Sequence, residues 1–219
     1  AFSDSRHHLV AFPQMGPGKG NESLTNTSQD FGRENITQNE ADKFHFRTPS
    51  LLNVAVTAPY GHTGSYQTLT EVVRHYNGPR AAIAKLFGTD GMRNNIGVAQ
   101  GVLDGSAPFC QLKQIKELID KTDQSCAQLY PDAYENSRQV TRHLANINNG
   151  QGVATSPLFA TANLNPQEVS QLVSFLEALT DPCVEDRSCL SPWIVDGNEE
   201  VNFPDNQLLI AVDAKEQVL

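Results

Sequence analysis

The sequence lacks the marks of several common functions. It has no apolar run approaching the roughly 18 residues that a membrane-spanning helix needs. It is poor in positive charge, with 16 Lys and Arg against 25 Asp and Glu and a net charge of −9. Such a surface repels phosphate backbones, which argues against nucleic acid, and would suit a basic partner. No His-x-x-x-His pair is present, which excludes a helical zincin site, and no Gly-x-Ser-x-Gly elbow. Gly16-Pro17-Gly18-Lys19-Gly20 lacks the spacing of a phosphate-binding loop and reads as a turn. No Cys-x-x-Cys occurs, so neither a zinc ribbon nor a thioredoxin-type site is encoded, and no Cys-x-x-Cys-His for covalent haem attachment.

What remains is a chain of 219 residues, 39% hydrophobic and 19% charged, enough for a real hydrophobic core. The four cysteines, Cys110, Cys126, Cys183 and Cys189, form two local pairs by position. Disulfides Cys110–Cys126 and Cys183–Cys189 are expected, which implies an oxidising compartment, four buried thiols being the other reading. The chain begins abruptly at Ala1, as a processed or truncated start would.

The overall balance is mainly α with long loops. Residues 1–50 read as a long loop wrapping a scaffold, with Asn21 to Asn39 strongly polar. Leu51 to Ala58 is a short apolar run, a helical turn or a strand. Thr68 and Glu71 form a capping box that starts a helix, with Val72, Val73 and Tyr76 on its apolar face. Asn77-Gly78-Pro79 is expected to stop that helix through a left-handed glycine, and Pro79 to Ile83 to be a linker. Gln111 to Thr122 reads as an amphipathic helix, Ser137 to Ala145 as a short one, and Gly88 to Gly105 and Asn146 to Ser156 as loops. The strongest helix is Pro166 to Leu179, capped by Asn165 with Glu168 in its first turn and burying Val169, Leu172, Val173 and Leu176. Leu208 to Ile210 is a candidate edge, and Trp193 is expected to pack on the nearby disulfide loop.

The most informative stretch runs from Phe46 to Asn77. Its pieces Phe46-Arg47-Thr48-Pro49-Ser50-Leu51, Asn53-Val54-Ala55, Thr57-Ala58-Pro59-Tyr60, His62-x-Gly64 and Leu69-x-Glu71-Val72-Val73 resemble the C-terminal haem domain of the bacterial di-haem cytochrome c peroxidase/MauG family. Phe2-Ser3-Asp4, His8, Pro13-Gln14 and Gly16-Pro17-Gly18 resemble the segment after that family's second haem-attachment motif. Asp30-Phe31-Gly32-Arg33 resembles its Asp-x-Gly-Arg element, and Asn165 to Leu179 its closing helix. The likeness covers about three-quarters of the chain. Residues 88–152 match less and read as an insertion.

The resemblance implies a cytochrome c-like domain over residues 1–180, incomplete at its start, with a C-terminal extension over 181–219. It implies haem c, attached through a motif outside this chain, and a missing N-terminal haem domain as partner. Tyr76 falls where most of the family carries the methionine that ligates the second haem iron, and where the MauG branch carries a tyrosine. A thioether is soft and favours ferrous iron, whereas an ionised phenol is hard and favours more oxidised iron. On helical pattern alone, Tyr76 would instead be a core aromatic with a bonded hydroxyl.

In the MauG branch the tyrosine-ligated haem is not the one that binds peroxide, so the cleavage site would lie in the missing half. The resemblance places His62 near the haem and the domain interface, as a catalytic candidate or else a loop histidine. Arg47 is a candidate partner for a haem propionate, or a plain surface arginine. The carbonyls of Thr57 and Pro59 correspond to ligands of an interdomain calcium.

The expected function is peroxide-dependent oxidation of an electron donor or a protein side chain, in the periplasm or outside the cell, with a small redox protein or a protein substrate as partner. The alternatives are a haem-less interaction module and a simple electron-transfer cytochrome.

Overall fold

The computed structural model describes residues 2–16, 18, 29–89, 99–154 and 162–193, without the Arg187 side chain. Among these the structure is mainly α with long connections. Its helices are α1 (Glu34–Thr37), α2 (Leu69–Asn77), α3 (Pro79–Leu86), α4 (Gln100–Leu103), α5 (Lys113–Thr122), α6 (Cys126–Leu129), α7 (Ala133–Asn148), α8 (Pro166–Glu177) and α9 (Arg187–Leu190). Strands β1 (His7–Leu9) and β2 (His45–Arg47) pair antiparallel, with His7 opposite Arg47 and Leu9 opposite His45. No helix among the described residues is long and apolar enough to cross a membrane.

The caps behave as their residues dictate. The Thr68 hydroxyl accepts the Glu71 N–H at 3.2 Å, and the Glu71 carboxylate accepts the Thr68 N–H at 3.0 Å. Asn165 accepts from the N–H groups of Gln167 and Glu168, and the Glu168 carboxylate returns to the Asn165 N–H at 2.8 Å. These reciprocal bonds satisfy donors that a helix start leaves open.

Other expectations need correction. Residues 1–50 are not all loop, since they supply both strands and α1. Of the two readings of Leu51 to Ala58, the structure takes the helical turn, a single 3₁₀ turn at Val54–Val56. Gly78 is extended, with φ −171°, not left-handed. The reason is Pro79, whose ring bars helical geometry in the residue before it. Pro79 then opens α3, so the expected linker at 79–83 is helix, because proline is tolerated in a helix's first turn. The short helix expected at Ser137 is a 16-residue one that extends past Asn146. The helix expected from Gln111 begins at Lys113, and the loop expected at 88–105 contains α4. Trp193 is 83% exposed and does not pack on the disulfide loop. The candidate edge at Leu208 to Ile210 lies outside the described residues, as does Asn21 to Ser28.

Three apolar clusters hold these elements. Ile83, Phe87, Val102, Phe109, Ile115 and Tyr134 form one, with the Phe87 and Phe109 rings stacked at 4.7 Å. The disulfide Cys110–Cys126 lies in this cluster, and Cys183–Cys189 follows α8. A second joins Val10, Phe12, Tyr60, Tyr66, Leu69 and Val73 to Val169 and Leu176 of α8. A third sets Leu9, Ala11 and Phe44 against Val140, Leu144 and Ile147 of α7.

The segment Leu9–Phe12 therefore alternates: odd positions face α7 and even ones face α2 and α8. Burial on both faces fixes its register, because a one-residue slip would exchange the two sets.

Candidate functional site

The buried segment Val10–Gln14 positions the candidate residues. On one side of it lies His75 of α2, with no solvent exposure. His75 Nε2 is 2.8 Å from the Val10 carbonyl oxygen, and Nδ1 is 2.7 Å from the Tyr66 hydroxyl. A carbonyl only accepts, so Nε2 carries the proton. Nδ1 of the neutral ring is then an acceptor, and Tyr66 donates to it. The imidazole lies flat on Phe12, with ring centroids 4.8 Å apart. Burial drives its pKa from 6.5 down to about 4, and burial also raises the Tyr66 phenol above its ordinary range.

Tyr76 follows in the last turn of α2. It is 44% exposed, so it is not the core aromatic that helical pattern alone would give. Its ring meets Phe12 edge-on at 5.9 Å and His75 edge-on at 6.1 Å. Partial burial raises its phenol pKa. Phe12, Tyr66, His75 and Tyr76 thus form one cluster of rings.

His62 is joined to the same segment through Asp30 and Gln14. Its Nε2–H donates to Asp30 Oδ2 at 2.8 Å, and its ring stacks on Phe46 at 3.7 Å. Asp30 is fixed in turn. Its other carboxylate oxygen accepts the Gly32 N–H at 2.7 Å, and the Gln14 side chain brackets its backbone, accepting from its N–H and donating to its carbonyl. The Gln14 N–H donates to the Ser137 hydroxyl, which donates to the Ala133 carbonyl, so α7 anchors the arrangement. Thr63, beside His62, donates to the Pro13 carbonyl. Asp30, His62, Thr63, Met15, Gly18 and Tyr130 border a shallow cavity of about 310 Å³.

Gly18 is needed here. Its φ is +76°, and a Cβ would lie 2.4 Å from the Asp30 carboxyl carbon.

The remaining sequence candidates stand apart. Arg47 is exposed at the end of β2, in register with His7. Thr57 closes the 3₁₀ turn at Val54–Val56, its N–H and hydroxyl both donating to the Val54 carbonyl, and Pro59 is exposed after a cis peptide bond. Among the described residues, no group of three His, Cys, Asp or Glu side chains could hold a metal. Two further histidines, His45 and His143, have pKa values lowered by burial.

Sequence reasoning missed four participants. Gln14 and Asp30 were legible only as parts of short motifs, with nothing to join them to His62. The Tyr66–His75 pair, nine residues apart across a turn, leaves no periodic signature.

Partial matches to known proteins follow the same lines. The chain is 48% identical over 48 residues to cytochrome c peroxidase Ccp of Escherichia coli K12, which is 22% of this chain and 10% of that protein. It is 41% identical over 64 residues to cytochrome c peroxidase IdrP1 of Denitromonas iodatirespirans, 29% of this chain and 17% of that one. It is 44% identical over 50 residues to IdrP1 of Pseudomonas sp. strain SCT, 23% of this chain and 13% of that one. The match spans between a tenth and a fifth of each relative's length. No protein-family model and no solved structure matches the chain. Over these short stretches the chain is similar to bacterial cytochrome c peroxidases.

Proposed function

We propose that the chain is the C-terminal part of a di-haem oxidoreductase of the cytochrome c peroxidase/MauG type, which uses hydrogen peroxide to oxidise an electron donor or a protein side chain. The observation that carries this reading is Tyr76, a half-exposed residue at the edge of a buried ring cluster, at the position that the resemblance assigns to an iron ligand. A hard oxygen donor beside an apolar wall is a residue that would suit a haem iron. Attachment is another matter. All four cysteines are closed in disulfides, so no thiol of this chain is left for a thioether bond.

When bound, the haem supplies one-electron redox chemistry. The chain's own residues do the rest. Tyr76 would hold the iron through its phenolic oxygen. Burial disfavours the ionised phenol, so a cation facing it is what would ionise it. The Phe12 ring, pinned by His75, fixes the orientation of Tyr76. His62 directs its Nε2–H at the Asp30 carboxylate, and in that neutral tautomer Nδ1 would be an acceptor. It is the residue of this chain best suited to hold a proton near the reaction.

Arg47 would face a propionate, and the carbonyls of Thr57 and Pro59 would contribute to a calcium site completed by another domain. In this reading residues 1–180 belong to the haem domain, with an insertion at about 88–152, and 181–219 extend it. The partners are the N-terminal haem domain and a small redox protein or protein substrate. Two disulfides fit the periplasm or the outside of the cell.

The visible spectrum and intact mass of the natively purified protein test the proposal. A Soret band, a mass above 24.0 kDa and peroxide-dependent oxidation of a reduced donor are expected. A colourless 24.0 kDa protein would overturn it and leave a haem-less interaction module. Haem without peroxide turnover would leave a simple electron carrier.

A further inference from the structure

We propose that Tyr66 is a redox-active tyrosine, a one-electron relay whose proton is kept by the hydrogen bond to His75. The proposal deepens the peroxidase reading and rests on it for the source of the oxidant. It stands on geometry. Tyr66 is buried, and water cannot take up its hydroxyl proton. An oxidised phenol is a very strong acid, so removing an electron from a buried one requires a base already in place. His75 Nδ1 is that base at 2.7 Å, because its Nε2–H is committed to the Val10 carbonyl.

Tyr60 and Tyr134 lack this arrangement: Tyr60 donates to the Ala55 carbonyl, a poor proton acceptor, and the buried Tyr134 hydroxyl has no hydrogen-bond partner among the described residues. The Tyr66 ring also lies within two ring contacts of Tyr76. Centroid separations are 5.3 Å from Tyr66 to His75 and 6.1 Å from His75 to Tyr76, with a parallel route through Phe12 at 6.4 and 5.9 Å. An oxidising equivalent arriving at the half-exposed end of the cluster can therefore pass inward.

The step balances. Tyr66 gives up one electron to a one-electron oxidant, which the cofactor would supply when bound and an external photo-oxidant supplies in the test. The Tyr66 O–H bond breaks, its proton moves to His75 Nδ1, and the products are a neutral tyrosyl radical, an imidazolium and the reduced oxidant. The reverse step restores the resting pair when a donor supplies an electron.

The test is flash oxidation of the purified full chain by photoexcited ruthenium tris(bipyridine) with persulfate, followed by freezing and electron paramagnetic resonance. A tyrosyl radical is expected whose pulsed ENDOR spectrum carries a strongly coupled, exchangeable hydrogen-bond proton that disappears in D₂O. Tyr66→Phe, checked for folding by circular dichroism, is expected to lose that radical, and Tyr130→Phe to keep it. Absence of a tyrosyl signal, a radical without the exchangeable proton, or its survival in folded Tyr66→Phe would each overturn the proposal. If Tyr66→Phe does not fold, the ENDOR spectrum of the unmutated chain decides alone. The readout needs no iron, so its failure is distinct from a failure of Tyr76 to ligate haem, which the iron's own spectrum reports.

Discussion

Acid should destabilise this protein through His75. The unfolded chain takes up a proton on this residue near pH 6.5, but the folded protein not until about pH 4. Between those values the unfolded state binds one more proton, so stability falls by about 1.4 kcal/mol for each pH unit of acidification. The contribution is complete above pH 6.5 and is lost as the pH falls to about 4, which amounts to about 3 kcal/mol over the window. His45 and His143, also lowered by burial, act in the same direction, so the acid curve alone mixes several groups.

His75→Phe separates them. It preserves a flat ring against Phe12 and removes the titration. It also leaves the Tyr66 hydroxyl and the Val10 carbonyl unpaired, at a cost of about 2 to 5 kcal/mol at neutral pH. Urea unfolding of both proteins, followed by circular dichroism, gives the stability gap at each pH. The gap is expected to narrow by about 3 kcal/mol between neutral pH and pH 4. A gap that stays constant across that window would refute the assignment of a buried, neutral, hydrogen-bonded imidazole.

Further outcomes follow from other contacts. Asn165→Ala removes the acceptor of two N–H groups at the start of α8 and is expected to cost about 1 kcal/mol, read as a lower melting temperature. Replacing both cysteines of the Cys110–Cys126 bridge by serine reopens a separation of 16 residues and is expected to cost about 3 kcal/mol in urea unfolding. The Cys183–Cys189 bridge closes only 6 residues, and its removal is expected to cost less. Gly18→Ala forces a side chain at φ +76° onto the Asp30 carboxylate. The His62 ring resonances are expected to shift in NMR spectra, and an unchanged His62 spectrum would contradict the Asp30 contact.

Much of the local structure was legible because it depends on neighbours in the chain. The capping boxes at Thr68 and Asn165 need only residues three apart, and both helices form where those residues place them. Both disulfides join neighbouring cysteines. Pro79 misled because one residue both bars helical geometry at Gly78 and opens the next helix, so a stop and a start look alike. The helix at Ser137 ran long because α7 is held by tertiary burial of Tyr134, Val140, Leu144 and Ile147 and not by a cap signal.

The site divides in the same way. Tyr76 could be named from a motif, but its half-exposure depends on Phe12, 64 positions earlier. Asp30 and His62 are 32 residues apart, and no periodicity connects them. The trait that joins these residues, burial of Val10–Gln14 on both faces, arises only when α7 and α2 pack against that segment together.

The central claim is that Tyr76 meets iron. The most direct measurement is the electron paramagnetic resonance and resonance Raman spectrum of the haem-loaded, full-length protein, compared with its Tyr76→Phe variant. Tyrosinate-to-iron vibrations in the unmutated protein, lost in the variant together with a change in iron spin state, are the predicted result. Haem spectra identical in the two proteins would contradict the account.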